Sequence, residues 1–437
     1  MKTLIAAILT RKFLWFFLSL VLSRAGYLYI FGIYISPETE IWLEGSSVFH
    51  PPLYPLLLKG LLYVYPSAWL PILLQILLFS FSFALLASLV FNSNRLFYIL
   101  MAVTALDPVS AQFVYSISGL SLSICCMMLS LSAFHVWLRN PGGWLMFVMI
   151  VGSALAFLLR YQALIFPIVM LLYMMSFPVH RRYFFRHVFL FVVGFQLTLL
   201  PMRYYHAQQY DTWRLNAYTG LSLWNNASVI YCNSAVRVNP RSGFETYVAY
   251  KPCGEFTRDH AIRGWHLNHP TSTMNQYLKR KVKDVPGQLE FGDALFRTSV
   301  GIIIQHPIDY MQQFVFPNLH RVFFEDETRE SIPAAFSPEV RAKLNVSGRA
   351  FVYFNRYFVW LAIALMVFNL LFQLYYHNSL GFISLFNFAY LFSITFMGPL
   401  SVADVLVLTP MISLNVLFLW DKLYYRNIYY RFAYRGL

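Results

Sequence analysis

Long apolar runs broken by short polar or basic punctuation dominate the chain. Crossing about 30 Å of hydrocarbon at 1.5 Å per residue takes roughly 20 apolar residues. Runs near 13–34, 68–91, 96–114, 117–138, 143–159, 161–177, 186–202, 351–376, 379–397 and 400–420 satisfy or approach that length. The pattern predicts an all-α polytopic membrane protein of about ten transmembrane helices. A long polar stretch, 203–350, separates the seventh from the eighth. Three regions follow: 1–202 with helices one to seven and a first loop at 32–67, the loop domain 203–350, and 351–437 with three helices and a basic tail.

Composition agrees with that class. The 437 residues are 58% hydrophobic, 19% aromatic and 12% charged, whereas soluble chains carry about 25% charged residues. Orientation follows from Lys and Arg in the short loops, because cations flanking a span are retained in the cytoplasm. With the N-terminus inside, that side holds Lys2, Arg11, Lys12, Arg95, Arg139, the Arg181, Arg182 and Arg186 cluster, and the tail cations from Lys422 to Arg435. The opposite short loops hold only Lys59 and Arg160. Residues 203–350 are therefore expected outside; they are basic too, but long loops translocate largely regardless of charge. MKTLIAAILTRKF runs into the first apolar span with no A-x-A-like cleavage site and reads as a retained helix.

Four cysteines divide by location. Cys125 and Cys126 fall in an apolar run, while Cys232 and Cys253 lie in the outer loop, where oxidising conditions permit a disulfide or leave two free thiols. Closing that loop would contribute roughly 3 kcal/mol.

Polar groups at membrane depth mark the chemistry, since a buried charge costs at least about 2.5–3.5 kcal/mol. The first outer loop, YISPETEIWLEGSSVFHPPLYP, carries Glu38, Glu40 and Glu44 ahead of a rigid turn at His50. On the same side stand Arg24, Arg160, Arg203 and Arg356. Guanidinium forks bind phosphate oxygens, and a carboxylate can take a proton from an attacking hydroxyl. A lipid phosphate with a sugar projecting outward fits both. For Arg24 an ion pair between helices or a snorkelling side chain fits equally, and a solvated acidic loop fits each glutamate taken singly.

Asp107, before Pro108, fits a helix cap, whereas Asp404 in SVADVLVLTPM is a second-rank site candidate. In the long loop, Trp213, Asn216, Tyr218, Trp224, Asn225 and Asn226 combine aromatic faces with amides, as sugar recognition and the membrane interface both do. Residues 295–316 form an amphipathic stretch expected to lie along the membrane and close one wall of a site, with Pro307 interrupting it. Asn226-Ala227-Ser228 and Asn345-Val346-Ser347 are sequons, relevant only in a eukaryotic lumen. No GxxxxGK[ST], HExxH, GxSxG or CxxC occurs. His266 and His269 have metal-like spacing but lack Cys or carboxylate partners in register and read as loop polar residues; apart from the first-loop carboxylates, no ligand set for a divalent cation stands out, and the metal is left open.

Taken together, these residues resemble the GT-C class of glycosyltransferases that use polyprenyl-phosphate sugars, in particular bacterial relatives of protein O-mannosyltransferases and lipid A aminoarabinose transferases. The resemblance is spread over most of the chain. Arg24 and Tyr27 match an Arg-aromatic pair in the family's first helix. PETEIW sets Glu38 at the family's Asp and Trp42 at its Tyr, and HPPLYPLLLK at 50–59 is close to its usual form. Two positions depart: Gly119 stands where the family carries Glu, and Ala403 and Asp404 where an Arg precedes the last proline.

The resemblance implies an inverting glycosyltransferase of the bacterial inner membrane, with its site on the periplasmic face. The donor would be an undecaprenyl-phosphate sugar bound through Arg24, Arg160, Arg203, Arg356 and His50. Glu38, Glu40 or Glu44 would serve as base. The acceptor would be a lipopolysaccharide O-antigen or other surface glycan, or a surface protein, with Trp42, Asp107, Trp213, Asn216, Tyr218, Trp224, Asn225 and Asp404 lining its path. Membrane lipids, not nucleic acid, would be the other partners. An O-antigen polymerase or ligase would be expected to carry more paired Arg in the outer loop. A non-enzymatic lipid-linked sugar flippase would need polar groups lining a path across the membrane.

Overall fold

The computed structural model describes residues 2–31, 53–91, 94–106, 117–174, 183–210, 218–233 and 285–324, together with isolated positions between them and Ala389. Within these residues the chain is helical and contains no strand. The first element, α1 (Lys2–Ile8), is a separate turn rather than the start of a continuous span. Thr10 separates it from α2 (Arg11–Phe31). The Thr10 hydroxyl donates to the Ala7 carbonyl at 2.7 Å and accepts the Phe13 N–H at 3.2 Å, an N-cap on α2.

Next come α3 (Leu53–Val64), α4 (Trp69–Val90), α5 (Asn94–Leu106), α6 (Gly119–Arg139), α7 (Gly143–Leu159) and α8 (Ile165–Met174). The long α9 (Phe184–Tyr210) completes this bundle. Three of these helices, α4, α6 and α9, are long and apolar enough to cross a membrane by length and composition. The described part of the chain is thus helical with membrane-spanning character. The runs at 351–376, 379–397 and 400–420 lie outside the described residues.

One contiguous apolar core joins α2, α4, α5, α6, α7 and α9. Aromatic edges interlock at its centre: Phe16 meets Phe83 and Phe97 with ring centroids 5.7 and 5.1 Å apart. Because lipid is as apolar as Leu, helices in a bilayer associate through close backbone approach and interhelical hydrogen bonds. The α6–α7 pair uses both devices. A Cβ on Gly152 would sit 2.2 Å from Ser130 Oγ and 3.1 Å from the Cys126 carbonyl. Ser123 Oγ donates to the Ala156 carbonyl at 3.0 Å and Ser130 Oγ to the Met149 carbonyl at 3.3 Å.

A second core lies within 203–324. It is built from α10 (Tyr218–Asn233), α11 (Val285–Gln305), the short α12 (Pro307–Tyr310), a π-helical turn at Met311–Val315 and α13 (Phe316–Phe324). The interruption expected at Pro307 is present: α11 ends at Gln305, and His306 adopts a non-helical backbone. Helices α10 and α11 touch backbone to backbone, since a Cβ on Gly220 would lie 1.8 Å from the Gly292 carbonyl oxygen. Leu319 of α13 packs against both cores and ties this unit to the bundle.

Candidate functional site

At one end of the bundle α7 finishes where α3 and α6 begin. Three backbones converge there. The ideal Cβ of Gly119, first residue of α6, would meet the Leu159 carbonyl at 3.0 Å and Tyr54 Cβ at 3.2 Å. A side chain at 119 would require these neighbours to yield by a few tenths of an ångström. Tyr54 is 1% exposed. Its hydroxyl donates to Gln75 Oε1 of α4 at 3.2 Å, and Gln75 Nε2 donates to the Val114 carbonyl at 3.2 Å.

Arg160 follows directly on Leu159. Its extended backbone (φ −155°, ψ 115°) ends α7, closes the helix by donating its N–H to the Ala156 carbonyl, and turns the chain into the 3₁₀ turn Tyr161–Leu164. Its side chain is half-buried. Next to it, the Tyr161 hydroxyl donates to the Leu215 carbonyl. Leu215 itself is buried in the bundle core, so the chain leaving α9 is drawn back onto the α7 terminus. Trp213, two residues earlier, is 58% exposed.

Arg203 stands on α9. Ile150 packs against Gly194, and the Phe157 and Phe195 rings lie 6.0 Å apart, so α7 and α9 pack side by side. Arg203 is half-buried, and its Nε is enclosed with no hydrogen-bond partner among the described residues. One turn on, His206 is buried, with its ring against those of Tyr205 and Tyr210.

Arg24 stands apart from this pair. It is fully buried, donates from Nη2 to the Thr104 carbonyl at 2.9 Å and from Nη1 to Ser23 Oγ at 3.3 Å, and lies 5.8 Å from the centroid of the Phe79 ring. Thr104 is in the last turn of α5, and the residue four positions on is Pro108, which has no N–H to donate. Arg24 donates to one of the carbonyls that the last turn of α5 leaves open, and the Phe79 face adds a cation–π contact. This hydrogen bond joins α2 to α5.

Trp224 and Asn225 are likewise interior, each 0% exposed in the second core. Asn225 Nδ2 donates to Asn226 Oδ1 at 3.0 Å and to the Ala261 carbonyl at 2.8 Å, and Asn226 Nδ2 donates to the Tyr310 hydroxyl at 3.2 Å. The amide donors are directed to internal partners, while Asn225 Oδ1 is buried with no hydrogen-bond partner among the described residues, and the Asn226 sequon is enclosed in the folded chain. Burial pushes the Tyr310 hydroxyl above its ordinary pKa of 10.0, a rise partly offset by the Asn226 hydrogen bond.

Tyr218 and Cys232 are placed on α10 by their backbone alone. Glu38, Glu40, Trp42, Glu44, His50, Asp107, Asn216, Cys253, Arg356 and Asp404 lie outside the described residues. Cys125 and Cys126 are free thiols. Among the described residues, no group of three or more His, Cys, Asp and Glu side chains could hold a metal ion.

Sequence reasoning missed Tyr54 and Gln75. Gln75 carried a usable signal, being a lone amide in the apolar run WLPILLQILLF, where an idle polar group is costly. No protein-family profile, curated protein or solved structure matches the chain.

Proposed function

We propose that the protein is an inverting glycosyltransferase of GT-C type. It moves a sugar from a polyprenyl-phosphate carrier to an acceptor outside the cytoplasm, foremost an O-antigen or other surface glycan. In this reading the chain spans the bacterial inner membrane about ten times, with its N-terminus inside and its site on the periplasmic face. The observation that carries the reading is the convergence of Tyr54, Gly119 and Leu159. Tyr54 lies ten residues after Glu44 and Arg160 follows Leu159 by one, so sequence neighbours of the acidic segment and of Arg160 meet at one end of the bundle.

Arg160 and Arg203 would hold the donor phosphate, with the half-buried guanidiniums neutralising charge in a medium of reduced dielectric. Arg24, already committed to Thr104, would act from inside the bundle by fixing α5. Glu38 takes the proton of the acceptor hydroxyl as its oxygen attacks the anomeric carbon. The bond from that carbon to the phosphate oxygen breaks, its electron pair leaves with the polyprenyl phosphate, and the anomeric centre inverts. A base positioned in this way contributes about 10²–10⁴-fold, and neutralisation of the leaving phosphate supplies much of the rest.

The test is transfer by purified protein from radiolabelled polyprenyl-phosphate sugars to host surface glycan, with wild type and Glu38→Gln compared. Collapse of transfer in the variant with donor binding retained supports the reading. Undiminished transfer reassigns the base to Glu40 or Glu44, and absence of transfer by wild type with any donor overturns the proposal.

A further inference from the structure

We infer, independently of the glycosyltransferase reading, that α3 is an interfacial helix. It does not cross the bilayer; it rests its exposed face, Lys59, Gly60, Tyr63 and Val64, in the lipid headgroup layer on the side where α6 begins. The directions of the helices define that side. Phe16 meets Phe97 and Arg24 meets Thr104, so α2 and α5 run the same way. Phe16 also meets Phe83 and Arg24 meets Phe79, so α4 runs against them. Gln75 holds the Val114 carbonyl just ahead of α6, and Ser82 Oγ lies 3.8 Å from Met128 Sδ, so α6 follows α4. The bonds from Ser123 to Ala156 and from Ser130 to Met149 turn α7 back.

With these directions, the exposed aromatic residues sort by depth. Tyr29 near the end of α2 and Trp69 at the start of α4 stand at one end of the bundle. Trp15, Tyr98 and Trp144, near the starts of α2, α5 and α7, stand at the other. On α2, α4 and α5 the large exposed residues between them are aliphatic, among them Leu18, Leu22, Leu77 and Val103. Trp and Tyr concentrate where hydrocarbon meets headgroups, so the two sets mark the two faces of a bilayer.

Helix α3 belongs to the first face. Tyr54, in its first turn, packs over Gly119 and bonds to Gln75, and Trp69 lies about 9 Å beyond Gln75 toward the bundle end at 1.5 Å per residue. Were α3 to run inward, Val64 would lie about 15 Å deeper than Tyr54, and the return to Trp69 would cover about 24 Å. Five residues reach at most about 18 Å. This stretch is also bent, since the Ser67 N–H donates to the Tyr65 carbonyl at 2.7 Å. The helix therefore stays at the bundle end. It buries Tyr54, Pro55 and Leu58, while Tyr63 is 92% and Val64 76% exposed. Apolar surface level with Tyr29 and Trp69 fits a phospholipid boundary, and the exposed Lys59 adds a cation that can reach lipid phosphate while its stem stays in apolar surroundings.

Gly60 is the position to label, because a side chain there meets nothing within 4 Å. A fluorescent amino acid is installed at 60, and in separate proteins at 63 and 22, and the full chain is placed in nanodiscs with a quencher on the lipid headgroup or midway along the acyl chain. Leu22 is the reference, 70% exposed and about 10 Å deeper than Tyr29. Position 60 is expected to be quenched at least about threefold more by the headgroup probe than by the acyl probe, as an interfacial helix would be, and position 22 more by the acyl probe. Stronger acyl quenching at 60 would make α3 a membrane-embedded segment, and no quenching by either probe would leave its face to water or to a second copy of the chain; each overturns the inference. Absence of acyl quenching at 22 overturns the placement of the two faces and the inference with it. Should the protein labelled at 60 fail to fold, position 63 gives the same reading.

Discussion

The Arg24 guanidinium is hydrogen-bonded at 2.9 Å to the carbonyl of Thr104, a residue eighty positions later in the last turn of α5. The cation thus serves as a cap between helices. Arg24→Ala should lower stability by about 2–3 kcal/mol, because a buried acceptor loses a charged donor and a cavity opens. Arg24→Lys should recover part of that loss, offering a point charge without the fork. Unfolding in detergent measures both. Full stability of Arg24→Ala with selective loss of donor binding would return Arg24 to the phosphate site.

Arg160 and Arg203 are expected to behave in the opposite way. Arg203→Ala should weaken binding of a polyprenyl-phosphate sugar about tenfold or more, as loss of a charge-assisted phosphate contact does, with a melting transition close to wild type. Fluorescence-detected lipid binding and thermal unfolding on the same sample separate the two effects. A large stability loss with unaltered binding would make Arg203 a packing residue.

Two glycines in touching helices should respond with opposite sign. Gly220→Ala sets a methyl 1.8 Å from the Gly292 carbonyl oxygen, which cannot rotate away. A loss of about 3 kcal/mol or more is expected. Gly301→Ala in α11 meets nothing within 4 Å and should stabilise by about 0.5–1 kcal/mol through helix propensity. Chemical denaturation monitored on both variants decides, and equal responses would contradict the α10–α11 crossing.

Alkaline pH should loosen the second core. Burial holds the Tyr310 hydroxyl protonated above its ordinary pKa of 10.0, so between that value and the folded one the unfolded chain binds fewer protons. Stability is therefore complete below about pH 10 and falls as pH rises beyond it. Tyr310→Phe should flatten this fall. Denaturation midpoints at pH 8, 10 and 11 provide the measurement, and an unaltered slope in the variant would assign the loss elsewhere; Tyr277, also raised by burial, is the next group to replace.

Helices were legible in the sequence where the apolar period was long and its ends chemically marked. The run read as 143–159 is α7 to the residue, bounded by Pro141-Gly142 and Arg160, and 68–91 became α4 at 69–90. The break between α1 and α2 falls at the polar Thr10-Arg11-Lys12, where the Thr10 hydroxyl caps α2. Of the candidate residues, Arg160 and Arg203 are half-buried on separate helices, and Trp224, Asn225 and Asn226 are interior. An aromatic beside two amides has the same composition whether it lines a sugar cleft or satisfies a helix-packed core. Only the positions of Ala261 and Tyr310, far along the chain, distinguish the two. Tyr54 over Gly119 could not be foreseen for the same reason, being a contact between residues with no shared periodicity.

Leu319 belongs to both apolar cores at once. A helix residue shared in this way makes the 203–324 unit a poor module for transplantation: grafted onto another bundle it would present an unfilled socket on one side and an uncovered leucine on the other. It also gives the two halves a common fate under stress, since melting either core removes packing from its neighbour, and a single cooperative transition is the expected signature.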